Sequence, residues 1–128
     1  MEENKGKQIK VVLCSRVSPV GNVGSFLESQ IAELREYARD NRYVIVEEIV
    51  EVAGSSLNRR GIRRIKKLAS RQAMDKVIFI SLNRVCQIED QFFGFWEELE
   101  KYHVDLEMVR EDLSEFKKAA RRMGYAIE

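Results

Sequence analysis

Short runs of β-branched and apolar residues alternate with helical segments along the whole chain. The strand-like runs cover residues 8–17, 43–52, 76–82 and 104–109, and the helical segments cover about 25–40, 58–71, 88–103 and 113–124. Strands that alternate with helices pair in parallel, because each helix carries the chain back over the sheet in a right-handed crossover. The pattern predicts one α/β domain over residues 1–128, with three layers: a mostly parallel sheet of four to five strands and helices on both faces.

Local signals indicate where several helices begin. Ser25 and Asp112 each precede a glutamate by three residues, which is the spacing of a capping box, and Asn58 can cap the second helix. The third helix carries a cluster of aromatic residues, namely Phe92, Phe93, Phe95 and Trp96. We expect most of them in the core. Because they exceed one buried stripe, a partner-facing remainder stays open as an alternative.

Composition excludes several classes of protein. The 22 basic and 21 acidic residues give a net charge of +1, so overall charge does not identify a partner. A single histidine and the lack of a C-x-x-C pair argue against a zinc site, and Cys14 and Cys86 are expected to be buried, unreactive thiols. No apolar run reaches the roughly 18 residues of a membrane span, and the polar N-terminus has no signal region. We therefore expect a cytoplasmic protein that uses neither a membrane nor a metal.

Ligands of an open parallel sheet bind where the strands end, so the loops after the first three strands are where chemistry is expected. The loop Gly21–Ser25 lacks the lysine and spacing of a nucleotide P-loop, and its glycines are too few for a dinucleotide fingerprint. The strand ends Cys14–Arg16 and Leu82–Arg84 lack the carboxylates of a phospho-acceptor domain. Val20 stands where a cysteine phosphatase needs arginine, and the lone His103 lies at the far end of a helix, which argues against a Ser-His-Asp triad.

A serine with arginines around it remains as the candidate site. Arg16 and Ser18 lie two residues apart at the end of the first strand and are expected to project to the same side, while Arg59 and Arg84 leave the next two loops. Guanidinium groups bind phosphate oxygens and can stabilise a phosphoryl transition state, and a serine hydroxyl can attack phosphorus. The set could carry out phosphoryl transfer through a phosphoserine ester. The alternative is a solvated polar rim in which Ser18 caps a turn.

Five segments, taken in order, resemble the motifs of the serine site-specific recombinases, the resolvase/invertase family. They span roughly residues 8–112 and are Cys14–Ser18 (Y-x-R-V-S in the family), Phe26–Gln30 (S-L-x-x-Q), Ala53–Gly61 (the mobile loop ending in R-x-G), Val77–Arg84 (a strand followed by L-D-R) and Val104–Glu111 (the fourth strand and its turn). The resemblance implies a resolvase-like fold in which Ser18 attacks DNA and joins to a 5′-phosphate. By the same resemblance, Arg16, Arg59 and Arg84 bind and activate the scissile phosphate.

The resemblance also implies a cofactor-free reaction on DNA. A dimer or tetramer of the full-length protein would cleave and exchange strands in recombination or in the integration of a mobile element. Gln30 falls on a glutamine of the family's first helix and is expected to support the site. The run after Arg59 is basic throughout, and four of its members are expected to contact the DNA backbone: Arg60, Arg63, Arg64 and Lys67. The alternative is a solvated helix face.

Departures from the family pattern define an alternative function. The motif L-D-R-L-x-R reads Leu82–Gln87 here, with Asn83 replacing the aspartate, Gln87 replacing the final arginine, and Cys14 in place of the first-strand tyrosine. Asn83 cannot serve as an anion, and Gln87 removes a positive charge from these supporting positions. The alternative is a catalytically impaired resolvase-like module that associates with DNA or with another protein.

The C-terminal part of the chain differs from the family as well. After the fourth strand, the family continues into a long helix and a DNA-binding domain. Here only a short helix at about 113–124 is expected, and no DNA-binding domain. The chain is therefore expected to be either a fragment or a small stand-alone relative.

Overall fold

A computed structural model of the chain describes residues 7–20, 23–86 and 89–128. Strands and helices alternate as the sequence predicts. They are β1 (Lys10–Val17), α1 (Val23–Asp40), β2 (Val44–Val52), α2 (Arg60–Ser70), β3 (Lys76–Phe79), α3 (Glu89–Lys101), β4 (Asp105–Met108) and α4 (Ser114–Arg122). The strand β3 ends at Phe79 rather than at Leu82, because the chain bends there into a short 3₁₀ turn over Leu82–Arg84.

The four strands form one parallel sheet, as predicted, and their order is β2-β1-β3-β4. Pairing of β1 with β2 continues to Val17 and Val52, whereas pairing of β1 with β3 stops at Cys14 and Phe79. The last residues of β1 therefore have a strand on one side and the turn that follows β3 on the other. All the strands point the same way, so their carboxyl ends meet at a single edge of the sheet.

Helices cover both faces of the sheet and complete the three layers. One face is packed against α2, α3 and α4, with a core that includes Val12, Val77, Ile62, Phe92 and Ala120. The other face is packed against α1 through a smaller core of Val11, Leu13, Leu34, Ala38, Ile78 and Ile80. Alternate residues of β1 and β3 enter opposite cores, which explains why the runs Val11–Cys14 and Val77–Phe79 are continuously apolar rather than alternating.

The aromatic residues of α3 lie in the core, as predicted. Phe92, Phe93, Phe95 and Trp96 are all buried, so the alternative of a partner-facing remainder is wrong. The C-terminal segment supplies the extra partner, because Tyr125 packs on Phe93 with their ring centroids 5.5 Å apart. Cys14 and Cys86 are buried as predicted, and burial raises the pKa of the Cys14 thiol.

The predicted helix caps are also corrected. The helix α1 begins at Val23, so Ser25 lies inside it rather than capping it. Arg59, not Asn58, is the N-cap of α2, and it makes no capping hydrogen bond with its side chain. In α4 the N-cap is Leu113, while Asp112 Oδ1 accepts hydrogen bonds from both the amide and the hydroxyl of Ser114. Groups elsewhere in the fold can satisfy the first amides of a helix as well as a local cap does.

None of the helices in the described ranges is both long and apolar enough to cross a membrane.

Two residues after the end of each α-helix, the chain has a residue with a left-handed backbone. The φ angles are 60° at Arg42, 55° at Gln72, 59° at His103 and 94° at Gly124. The next residue then donates its amide to the carbonyl five positions back, as from Tyr43 to Ala38 at 2.9 Å and from Ala73 to Leu68 at 3.0 Å. This is the Schellman-type turn, in which glycine is favoured because side chains with a Cβ are strained.

We predict that Gln72→Gly stabilises the domain. A left-handed backbone costs a residue with a Cβ about 1–2 kcal/mol, and glycine avoids this strain. Glycine, however, loses about 0.5–1 kcal/mol more conformational entropy than other residues when the chain folds. The expected net gain is about 0.5–1 kcal/mol in the free energy of unfolding, measured by urea denaturation. Gln72→Ala is the control, because it removes the same side chain and keeps the strain. Equal stability of the two variants would contradict the prediction.

Candidate active site

Three of the predicted arginines converge at the carboxyl edge of the sheet. Arg16 is the penultimate residue of β1, Arg59 immediately precedes α2, and Arg84 ends the turn after β3. The carbonyl oxygen of Arg84 accepts hydrogen bonds from Arg16 Nε at 3.0 Å and from Arg59 Nη2 at 2.9 Å. One point in the fold thus joins segments that are far apart in sequence.

Arg16 is buried, with 5 % of its surface exposed, and its guanidinium binds three main-chain carbonyls. Besides Arg84, it donates from Nη1 to the carbonyl of Ala53 at 2.9 Å and from Nη2 to that of Asn83 at 2.7 Å. Burial lowers the pKa of Arg16, and the positive charges of Arg59 and Arg84 lower it further. Arg16 therefore ties the loops after β2 and β3 to β1, against the repulsion of its neighbours.

Gln30 holds the main chain of Arg16. Its Oε1 accepts the Arg16 amide at 3.1 Å, and its Nε2 donates to the Arg16 carbonyl at 2.8 Å. Both groups are buried, and leaving such groups without partners costs about 1–3 kcal/mol each. Gln30, which lies on α1, thus fixes the end of β1 and with it the start of the loop that carries Ser18.

Glu51, which the sequence reasoning missed, completes the site around Arg59. Its Oε1 accepts from Arg59 Nε at 2.9 Å, and its Oε2 accepts the amide of Gly61 at 2.7 Å. The side chain of Arg59 is only 6 % exposed, so this ion pair is largely removed from solvent. Glu51 is the register partner of Arg16 on β2, and an acidic residue at that strand end was a signal that could have identified it.

Arg59 also donates hydrogen bonds to main-chain carbonyls of the neighbouring loops. Its Nη1 donates to the carbonyls of Ser56 at 3.0 Å and Val85 at 2.6 Å. Arg16 and Arg59 together therefore bind three successive carbonyls after β3, those of Asn83, Arg84 and Val85. These contacts fix the position of the 3₁₀ turn against β1 and β2.

Arg84 differs from the other two arginines in having an unused hydrogen-bond donor among the described residues. Its Nε is buried and has no hydrogen-bond partner among the residues that the structure describes. A guanidinium carries five N–H donors in a planar fork suited to phosphate oxygens. Asn83 beside it is exposed, and its Oδ1 accepts from the Ser81 hydroxyl at 2.6 Å. Gln87, the other departure from the family motif, lies outside the described residues.

Ser18 lies at the rim of this cluster. It is exposed, one residue beyond the end of β1, and its Oγ accepts a long hydrogen bond of 3.4 Å from the Val20 amide. Within the described part of the chain, no hydrogen bond joins its hydroxyl to an arginine. The hydroxyl is therefore open to an approaching molecule, and it is the arginines that are held in place.

The predicted DNA-contacting residues lie on α2, directly after Arg59. Arg60, Arg63 and Lys67 are exposed and follow one another at helical spacing. Arg64 differs, because it forms a two-point ion pair with Glu47 at 2.8 Å on each bond. Three of the four predicted residues thus leave their charges facing solvent beside the arginine cluster.

Comparison with known proteins shows that the chain belongs to the resolvase N-terminal domain family. The family model described as the resolvase N-terminal domain matches residues 11–127. The N-terminal catalytic domain of TP901-1 integrase is similar in structure, with a TM-score of 0.78 and 19 % identity over 89 % of this chain and 93 % of that one.

Two further solved structures share the fold. The C-terminal catalytic domain of ISC1926 TnpA, an IS607-like serine recombinase, has a TM-score of 0.73 and 24 % identity over 90 % of this chain and 80 % of that one. A resolvase-family site-specific recombinase from Streptococcus pneumoniae has a TM-score of 0.66 and 20 % identity over 91 % and 92 %. A comparison with curated proteins finds no match.

Proposed function

Because the chain belongs to the resolvase N-terminal domain family and has the fold of serine recombinase catalytic domains, we propose that it cleaves and rejoins DNA through Ser18. The observation that carries the proposal is the convergence of Arg16, Arg59 and Arg84 beside the strand end that presents this serine. A phosphodiester is the substrate that this combination of groups suits, because its charge grows as a nucleophile attacks.

In the proposed step, Ser18 Oγ attacks the phosphorus of a DNA phosphodiester. The bond from Oγ to phosphorus forms as the bond from phosphorus to O3′ breaks. The hydroxyl proton leaves Oγ, and the departing O3′ takes up a proton to become a free 3′-hydroxyl. The product is a 5′-phosphoserine ester, and attack by a 3′-hydroxyl of another strand reverses the step and completes an exchange. The step forms one P–O bond, breaks one and moves one proton, so it requires no added cofactor.

The arginines have different parts in this proposal. Arg84, which is partly exposed and whose Nε has no hydrogen-bond partner among the described residues, binds the phosphate, while Arg16 and Arg59 set the positive potential and hold the surrounding loops. The exposed charges of Arg60, Arg63 and Lys67 bind neighbouring phosphates of the DNA backbone. Complete exchange between two duplexes requires four cuts, and each chain offers one Ser18. We therefore propose that the full-length protein forms dimers, and that two dimers, or one tetramer, carry out the recombination.

Asn83 does not by itself favour the alternative of an impaired module. Its contribution to the cluster is a main-chain carbonyl bound to Arg16, which an aspartate at this position offers equally. The arginine cluster is assembled despite the substitution. We therefore propose the recombinase function, including a role in moving DNA segments, over the inactive module.

The test is capture of the covalent intermediate. The chain is incubated with nicked DNA duplexes whose flanking sequences are randomised, so that the short strand released on cleavage diffuses away and cannot religate. We expect a protein–DNA adduct that resists denaturing detergent, its complete loss in Ser18→Ala, and its retention in Ser25→Ala, an exposed serine on α1. No adduct from the unaltered chain, or an adduct that survives Ser18→Ala, would refute the proposal.

A further inference from the structure

The 3₁₀ turn Leu82–Arg84 has an unusual importance for so short an element. It carries Arg84, and its carbonyls, with that of Val85, are what Arg16 and Arg59 bind. A displacement of this turn therefore moves all three guanidinium groups relative to one another. Whatever fixes the turn fixes the geometry of the site.

Internal contacts of the turn are few. The Arg84 amide donates to the Ser81 carbonyl at 3.0 Å and the Val85 amide to the Leu82 carbonyl at 2.9 Å. Ser81, its N-cap, makes no capping hydrogen bond with its side chain. Short 3₁₀ segments have poorer hydrogen-bond geometry than α-helices, so outside contacts matter more for their position.

Glu111 supplies such a contact from the loop after β4. Its Oε1 accepts the Leu82 amide at 2.6 Å, which is short for an N–H to oxygen bond and typical of a charged acceptor. Glu111 is itself held close to β3, because the preceding residue, Arg110, donates its amide to the Ile80 carbonyl at 2.9 Å. A carboxylate thus holds the first residue of the turn against the loop that follows β4.

The segment that carries Glu111 has a second anchor on the opposite layer. The guanidinium of Arg110 forms a two-point ion pair with Glu33 of α1, at 2.6 and 2.9 Å. The same helix holds the main chain of Arg16 through Gln30. Side chains of α1 therefore hold both the segment after β4 and the end of β1.

We infer that Glu111 is a positioning residue for the arginine cluster: its carboxylate holds the Leu82–Arg84 turn in the place from which Arg84 reaches the phosphate and from which the turn's carbonyls orient Arg16 and Arg59. The inference rests on the proposed function. Glu111 does not touch the reacting atoms. Its removal lets the turn shift, and a misplacement of about 1 Å in such a site can cost a hundredfold in rate.

The experiment compares Glu111→Ala with Glu111→Gln, which keeps an oxygen acceptor for the Leu82 amide. Adduct formation on the nicked duplexes is expected to slow by about tenfold to a hundredfold in Glu111→Ala and to recover to within about threefold in Glu111→Gln. DNA affinity is expected to stay within about twofold in both, because the phosphate-binding charges remain. Glu115→Ala, an exposed carboxylate on α4, is the matched control and should leave the rate unchanged.

A second readout does not depend on activity. Hydrogen exchange of the Leu82 amide, followed by NMR, is expected to accelerate by about tenfold in Glu111→Ala and to stay near the original rate in Glu111→Gln. Unchanged exchange, or an unchanged cleavage rate in an active protein, would overturn the inference and leave the proposed function standing. If Glu111→Ala lowered only the amount of folded protein, and the folded molecules formed the adduct at the normal rate, the inference would also be wrong. Failure of the unaltered chain to form an adduct would count against the function alone, while the exchange data would still report on Glu111.

Discussion

Replacing Arg16 by methionine is expected to remove about 2–4 kcal/mol from the free energy of unfolding and to abolish DNA cleavage. Methionine keeps an unbranched side chain in the buried space and removes the guanidinium. The carbonyls of Ala53 and Asn83 then lose the donors that Arg16 provides, whereas that of Arg84 keeps its bond to Arg59. The loops after β2 and β3 lose their common attachment to β1.

Two opposing contributions decide the size of this effect. Hydrogen bonds that involve a charged group contribute about 1.5–3 kcal/mol each to stability, and Arg16 makes three. Against this, its removal relieves the repulsion from Arg59 and Arg84, which together with burial lowers the pKa of Arg16. The hydrogen bonds are expected to dominate, because the Glu51 carboxylate already offsets part of the repulsion.

Arg16→Lys separates charge from geometry. A lysine restores the positive charge but cannot bind three divergent carbonyls from a rigid fork, so we expect intermediate stability and a cleavage rate still far below that of the unaltered chain. Urea denaturation gives the stabilities and adduct formation gives the rates. Arg60→Met, at an exposed arginine nearby, should change stability by less than about 0.5 kcal/mol. A methionine variant at position 16 that is as stable as the original chain would show that repulsion outweighs the hydrogen bonds.

The fold could be predicted from sequence because the alternation of strands and helices leaves few topologies. Parallel strands need crossover helices, and the apolar run of β1 requires cover on both faces, which places it inside the sheet. The prediction failed where a distant residue replaced a local signal. Asn58 is a good cap by composition, but the carboxylate of Glu51 reaches the first turn of α2 from another strand. Nothing within a window of neighbouring residues encodes that contact.

The candidate site could be predicted as a set of residues but not as a set of contacts. Arg16, Arg59 and Arg84 follow from strand ends and motifs, whereas their partners are mostly main-chain carbonyls, which every residue carries and no sequence pattern marks. The expected alignment of Ser18 with Arg16 relied on the alternation of an extended strand. The strand β1 ends at Val17, and Arg16 is buried whereas Ser18 is exposed, so the two side chains lie in different environments.

Gly61→Ala is expected to destabilise the domain by about 1–3 kcal/mol and to lower cleavage at least tenfold, although alanine is the better helix former. A Cβ at this position would overlap the carboxylate of Glu51. That carboxylate cannot simply swing aside, because the Arg59 guanidinium and the Gly61 amide both hold it. The added methyl group therefore pushes Glu51 away from Arg59 and leaves a guanidinium that is only 6 % exposed without its counterion.

The double variant tests this reasoning through a change of sign. In a Glu51→Ala background the overlap is gone, and Gly61→Ala is expected to stabilise by up to about 1 kcal/mol through helix propensity alone. Gly94→Ala on α3 is the matched control, because a Cβ there meets nothing within 4 Å and should be neutral or stabilising in the unaltered chain. Additive effects of Glu51→Ala and Gly61→Ala would contradict the proposed link. A non-additive pair would mean that the glycine of the R-x-G motif leaves room for the carboxylate that holds Arg59 in the site.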